Sequence, residues 1–153
     1  MFQIRYNILA DYVDYFIVCE SLFDHKGKVK KQNFIWRDEY NKDKIKYFLL
    51  EKPFPKNTNP WENQALQREF LLNCTDFADQ EDYIFFSDHD EILKPEILIN
   101  FELKKKYGIF LFKCFNYKFN LFNPYETPWE GTRVAKKKNL KSINFMRHKS
   151  LRK

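Results

Sequence analysis

Tyr83-Ile84-Phe85-Phe86-Ser87-Asp88-His89-Asp90-Glu91 decides how this chain is to be read. Four consecutive apolar residues, too few for a helix and rich in aromatic and β-branched side chains, predict a short strand buried on both faces. The strand runs directly into Asp88, Asp90 and Glu91, so a buried element ends abruptly in a polar turn. In open α/β sheets ligands bind beyond the carboxyl ends of the strands, and the three carboxylates fall at that place. Residues two apart in an extended segment point the same way, so Asp88 and Asp90 are placed to present oxygens to one hard cation while His89 turns aside. Such oxygen ligation suits Mg²⁺ or Mn²⁺, which complete their shell with water and substrate phosphates. A diphosphate-bearing substrate is the corresponding partner. The alternative is an acidic turn in which Ser87 and Asp88 cap a following helix. Spacing alone leaves both open.

Working outward, Phe2, Ile4, Ile8 and Leu9 recur with rough helical spacing before Asp11 and predict a short opening helix. Val13 to Cys19 and Ile45 to Leu50 are apolar, β-rich runs and predict strands, separated by a basic, turn-rich stretch around His25 to Lys28. Pro53 to Pro60 must be a loop, and Pro60 is suited to open a helix through Asn73 with apolar residues at 61, 65, 66, 70, 71 and 72. Past the acidic turn, Pro95 predicts a second helix over 96 to 107, stopped by Gly108, then strands at 109 to 112 and 117 to 122. This alternation predicts an α/β fold with a mostly parallel central sheet flanked by helices. At 153 residues the chain is expected to form one domain, residues 1 to 153.

Composition narrows the function classes. With 44% hydrophobic residues, including 17 Phe and 9 Tyr, the chain has ample material for a core, which excludes global disorder. A formal charge of +6, from 27 Lys and Arg against 21 Asp and Glu, favours anionic partners. The Lys-rich runs within 26 to 31, 104 to 106 and 136 to 138 read as solvated surface. Cys19, Cys74 and Cys114 form no C-x-x-C pair and are odd in number, so neither a zinc site nor a disulfide framework is expected, and a reducing, cytoplasmic compartment is. No run reaches the ~18 apolar residues of an integral membrane segment. Nucleic-acid motifs are missing, and a carboxylate cluster would repel phosphates without a metal, so no nucleic-acid partner is expected. Neither G-x-G-x-x-G nor a P-loop occurs. A phosphatase with a nucleophilic first Asp would continue D-x-D-x-T, whereas this chain continues Asp90-Glu91-Ile92.

Five blocks in order, Val13-Asp14-Tyr15-Phe16-Ile17-Val18-Cys19-Glu20-Ser21, Gln67-Arg68, Ser87 to Ile92, Asn116-Tyr117-Lys118-Phe119-Asn120 and Trp129-Glu130-Gly131-Thr132-Arg133, together resemble glycosyltransferase family 17. That family includes β-1,4-mannosyl-glycoprotein β-1,4-N-acetylglucosaminyltransferases. The resemblance implies a GT-A nucleotide-sugar fold, a UDP-sugar donor, a glycan or other sugar-bearing acceptor, metal assistance to the leaving UDP, and inversion at the anomeric carbon. It makes Asp90 the main ligand of Mn²⁺ or Mg²⁺, with Asp88 on the ribose or a metal-bound water. It sets Glu20 beside the nucleotide and Arg68 near the diphosphate, and puts Asn116, Tyr117, Trp129 and Arg133 on the acceptor side. No general base is assigned by the match; Glu91 and Glu130 are the carboxylates to consider.

The chain also departs from the family pattern. Members carry a further strand ahead of the position of Met1 and a region after the W-x-G-T-R block, so the chain is expected to be an incomplete domain that binds donor with little or no transfer. Uncovered sheet edges would then favour self-association.

Overall fold

The computed structural model of the chain describes residues 1 to 117 and 120 to 151. Its opening helix α1 (Phe2–Leu9) and the strands β1 (Phe16–Ser21) and β2 (Ile45–Leu50) form one half of the molecule. β1 and β2 pair in parallel, from Phe16 opposite Ile45 to Ser21 opposite Leu50. Tyr6 and Leu9 of α1 pack with Phe16, Tyr40 and Ile45 in an apolar cluster.

Helix α2 (Pro60–Asn73) follows the proline-rich loop, and its start is fastened as the sequence suggests. Asn59 accepts from the backbone N–H groups of Trp61 and Glu62, and Glu62 accepts back from Asn59 N at 2.8 Å. Such reciprocal capping satisfies N–H groups that have no partner inside the helix. The strand β3 (Tyr83–Phe86) comes next, and further on β4 (Tyr107–Phe112), the short hairpin of β5 (Phe115–Asn116) and β6 (Leu121–Phe122), the long strand β7 (Trp129–Lys136) and the helix α3 (Ile143–Arg147). Phe86 and Ala135 pack with Leu140, Ile143 and Met146, which seats α3 against this half.

Two expectations are corrected. The mixed α/β class holds, but the sheet is not mostly parallel: among the described residues β1 and β2 make the one parallel pair, and β3, β7 and β4 form an antiparallel sheet with β7 in the middle. β3 and β4 do run parallel to each other, yet β7 is inserted between them. Thr132, Val134 and Ala135 of β7 are 0% exposed, the burial a central strand requires. The second correction is the helix expected over 96 to 107. Pro95–Ile97 forms a single 3₁₀ turn, and Asn100 adopts a left-handed φ of 55°, which ends any helical course. Tertiary contacts then claim the segment: Phe101 packs on Tyr83, Phe85 and Phe110, and Leu103 N donates to the Tyr83 hydroxyl. β1 begins three residues later than expected, at Phe16. Of the strand expected over 117 to 122, residues 118 and 119 lie outside the described set, and Leu121–Phe122 is paired with Phe115–Asn116.

Between the two halves lies a cleft of about 980 Å³. Every residue of Phe16 to Cys19 and of Tyr83 to Phe86 lines it. Strands that show a face offer alternate residues, so here two strand edges, those of β1 and β3, border the cleft. Its lining runs from Asp14 and Asp82, ahead of the two strands, to His25, Asp88 and His89 past their carboxyl ends, with Gln67 and Arg68 of α2 facing it.

Candidate functional site at the end of β3

The turn at Ser87 to Glu91 is held from several sides. Glu91 N donates to Asp88 O at 3.1 Å and closes it. Arg5, reaching from α1, donates through Nη1 to Glu91 O at 2.9 Å and Asp88 O at 3.3 Å. Ser87 Oγ is bonded to Thr132 Oγ1 of β7 at 2.7 Å. The Glu91 carboxylate turns inward, accepting from Trp129 Nε1 at 2.9 Å and from Asp88 N at 3.3 Å. Burial raises the Glu91 carboxyl above its ordinary value, and the neighbouring Asp88 adds to this against the opposing bond from Trp129.

The two aspartates differ. Asp88 Oδ2 accepts from Arg147 Nη2 at 3.1 Å, and Arg68 Nη2 stands 4.0 Å from Oδ1. Asp90 is exposed, and no hydrogen bond or ion pair engages its side chain among the described residues. The helix-capping alternative is excluded, because Ser87 and Asp88 spend their side chains on Thr132 and Arg147. The 3₁₀ turn that follows has no side-chain cap. Burial lowers the pKa of Arg68 and of Arg133, for Arg68 partly offset by Asp88 and for Arg133 reinforced by the positive charge of nearby Arg147.

Glu20 is 8% exposed and serves a loop. It accepts from Lys30 Nζ at 2.7 Å, Asn33 N at 2.6 Å, Phe34 N at 3.0 Å and the Tyr47 hydroxyl at 3.2 Å. Burial pulls its carboxyl upward, but the bonds from Lys30, Asn33 and Phe34 outweigh it and hold the group below its ordinary value. Tyr47 is pushed up to about 12 by burial and by Glu20. A depressed carboxylate stabilises the fold above its unfolded pKa of ~4.3, and that contribution is lost as pH falls through the folded value. We expect urea midpoints measured from pH 6 down to 3 to fall less steeply below pH ~4.3 in Glu20→Gln than in the wild type. Identical slopes would show that Glu20 does not tie the loop.

The acceptor-side residues separate. Trp129 opens β7 beside the turn, half-exposed, with the Arg147 guanidinium 5.8 Å from its ring centre. Asn116 and Tyr117 lie at the exposed hairpin, Tyr117 at 88% exposure. Arg133, only 4% exposed, is a buried brace: Nη1 donates to the carbonyls of Glu130 and Gly131, and Nη2 to Lys149 O at 3.2 Å. Glu130 accepts from Ser150 Oγ at 3.1 Å and Leu151 N at 3.2 Å, on a second cleft of about 340 Å³ that Tyr125 and Trp129 also line.

Gly131 couples these parts. A Cβ built there would lie 2.6 Å from Phe112 Cδ2 and 3.1 Å from Glu91 Cδ. Gly131→Ala is therefore expected to cost about 2 kcal/mol and lower Tm by roughly 5 °C, read by calorimetry. An unchanged Tm would mean that the Glu91 brace yields freely.

Sequence reasoning missed Arg5 and Arg147. Arg147 sits in Met146-Arg147-His148-Lys149, which reads as one more basic surface run; Ser142, whose hydroxyl accepts from Phe145 N at 2.9 Å, was the available sign of a helix start.

The cleft runs past the carboxyl ends of two strands of an α/β domain, and there Asp88 stands beside the guanidiniums of Arg5, Arg68 and Arg147, groups whose forked donors match phosphate oxygens. The chain belongs to glycosyltransferase family 17, whose family model matches residues 1–139. No curated protein and no solved structure matches the chain. Membership makes it a glycosyltransferase-type domain, working between a sugar donor and an acceptor. Among the described residues no helix is long and apolar enough to cross a membrane.

Proposed function

We propose that this chain is a UDP-sugar-dependent transferase of the GT-A kind, moving N-acetylglucosamine to a glycan acceptor with inversion and with Mn²⁺ or Mg²⁺ as cofactor. The observation that carries this is the contrast at the strand-end turn: Asp90 is unengaged while Asp88, two residues before it, faces two arginines at the cleft. Among the described residues no three His, Cys, Asp or Glu side chains gather as a metal cage. Mg²⁺ and Mn²⁺ do not need one, since one or two carboxylates with water and substrate phosphate oxygens suffice. The donor set fits that arrangement with Asp90 as the protein ligand, since Asp88 is held by Arg147 in the free chain. When bound, the ion would offset charge that builds on the diphosphate as the sugar leaves.

The chain's own residues do the rest. Arg5 and Glu91 hold the turn that carries Asp90; Asp88 and His89 line the cleft, with Asp90 next to them on the exposed side of the turn. Arg68, on α2 next to the His25-bonded Gln67, gives the diphosphate a planar donor. Trp129 offers an aromatic face to an acceptor sugar, with Asn116 and Tyr117 as further acceptor-side groups. Inversion requires a general base to take the acceptor hydroxyl proton as it attacks the face opposite the diphosphate, and Glu91 and Glu130 are the carboxylates to consider. Glu130, on the Trp129 cleft, is better placed than the inward Glu91.

A second reading is favoured by one observation: both carboxylates are engaged, Glu91 by Trp129 and Glu130 by Ser150. The chain would then bind donor without turning it over. Incubation with UDP-N-acetylglucosamine, Mn²⁺ and a trimannosyl acceptor, with products weighed by mass spectrometry, separates the two. Transfer that falls ~100-fold or more in Glu130→Gln supports the enzyme. Donor binding without product supports the second reading, and no donor binding by the wild type contradicts both.

A further inference from the structure

Arg147 lies beyond the residues matched to the family, 1–139, and no role follows for it from that match. Building on the donor site proposed above, we propose that Arg147 and Arg68 form a two-guanidinium clamp for the donor's diphosphate, with Asp88 standing in for the anion until the donor arrives.

Three observations support the clamp. Two guanidiniums converge on one carboxylate: Arg147 Nη2 is 3.1 Å from Asp88 Oδ2, and Arg68 Nη2 is 4.0 Å from Oδ1, too far for a hydrogen bond. Asp88 is thus shared between two guanidiniums, Glu91 acts on both only through space, and Arg68 is left without a hydrogen-bonded anionic partner. Both side chains are largely buried, at 17% exposure for Arg68 and 18% for Arg147, where charge attraction is screened less than at an open surface. Arg147 Nε is buried with no hydrogen-bond partner, so the guanidinium has donor capacity that Asp88 does not use.

The fold places the pair in advance. α3 has five residues and depends on tertiary contacts, with Ile143 and Met146 seated in the same cluster as Phe86, the last residue of β3. Glu69, adjacent to Arg68 on α2, accepts from Ser142 Oγ at 2.5 Å and Asn144 N at 2.7 Å at the start of α3. One carboxylate therefore sets the spacing between the helices that carry the two arginines. A diphosphate offers more oxygens than a carboxylate and bears greater charge, and the Arg fork matches phosphate oxygens in pairs. It would displace Asp88 and satisfy both guanidiniums together.

The test is calorimetric titration of UDP, uridine and inorganic pyrophosphate into the wild type, Arg147→Ala, Arg147→Lys and Asp88→Asn, in EDTA, with circular dichroism melts to confirm folding. Arg147→Ala is expected to weaken UDP and pyrophosphate by about 10- to 100-fold and leave uridine unchanged. Arg147→Lys should restore part of the loss, since an ammonium is a point charge without the fork. Asp88→Asn should bind pyrophosphate more tightly than the wild type, because the competing anion is removed, and no loss of folding produces a gain. Pyrophosphate affinity unaltered in a folded Arg147→Ala, or not raised in Asp88→Asn, overturns the clamp. If UDP binds regardless of Arg147, the clamp fails and the donor site stands. If pyrophosphate binds through Arg147 while UDP gains nothing over it, the clamp stands and the donor reading fails.

Discussion

Asp90→Asn is expected to reduce Mn²⁺-dependent affinity for UDP-N-acetylglucosamine by about 100-fold, while Asp79→Asn changes it by less than about twofold. Perturbing the groups around a metal ligand already costs 10- to 100-fold in affinity, and losing a ligand costs at least as much. Both substitutions remove one negative charge, so any general shift in the protein's field cancels between them. The difference is position. Asp90 follows Asp88 at the end of β3, whereas Asp79 lies in the turn before that strand, where its backbone N donates to Asp82 Oδ2 at 2.9 Å. Titrations with and without chelator check this. Equal affinities in the two variants, or wild-type binding indifferent to chelator, would remove Asp90 from the site.

Arg5→Ala is expected to lower folding stability by about 2–3 kcal/mol and the urea midpoint by roughly 1–2 M. Arg5 joins α1 to the turn through carbonyls of Asp88 and Glu91, 83 and 86 residues away in sequence. Removing it leaves two carbonyls short of a charged donor and takes a positive charge away from Glu91, whose carboxyl is already raised by burial. The longer of the two bonds, at 3.3 Å, keeps the expected loss below the full value of two charged hydrogen bonds. Arg5→Lys should recover at most about half, since an ammonium cannot span both carbonyls as the fork does. A midpoint within 0.3 M or so of the wild type would show that the turn holds its shape without α1.

What could be read from the chain in advance was what rests on neighbouring residues. α1, β2, β3 and the start of α2 follow from local periodicity and the Asn59-Pro60 cap, and all form close to where they were expected. β7 did not announce itself, because Glu130, Thr132 and Arg133 break any apolar run. It is nonetheless central, since Thr132 finds Ser87 and Arg133 finds three backbone carbonyls. Its insertion between β3 and β4 is why the alternating pattern did not yield a mostly parallel sheet. The helix expected after Pro95 lost to packing of Phe101 against Tyr83, Phe85 and Phe110. At the site, the acidic turn could be placed from its own residues. The partners that make Asp88 and Asp90 unlike, Arg68 and Arg147, come from 20 and 59 positions away and have no local signature.

The most direct test of the site is paramagnetic broadening. Mn²⁺ added in sub-stoichiometric amounts to the ¹⁵N-labelled chain saturated with UDP-N-acetylglucosamine should broaden the amide signals of Ser87 to Glu91 first, with Asp90→Asn abolishing the effect and EDTA reversing it. Broadening centred elsewhere, or left intact in Asp90→Asn, would contradict a metal-assisted sugar-nucleotide site at the end of β3.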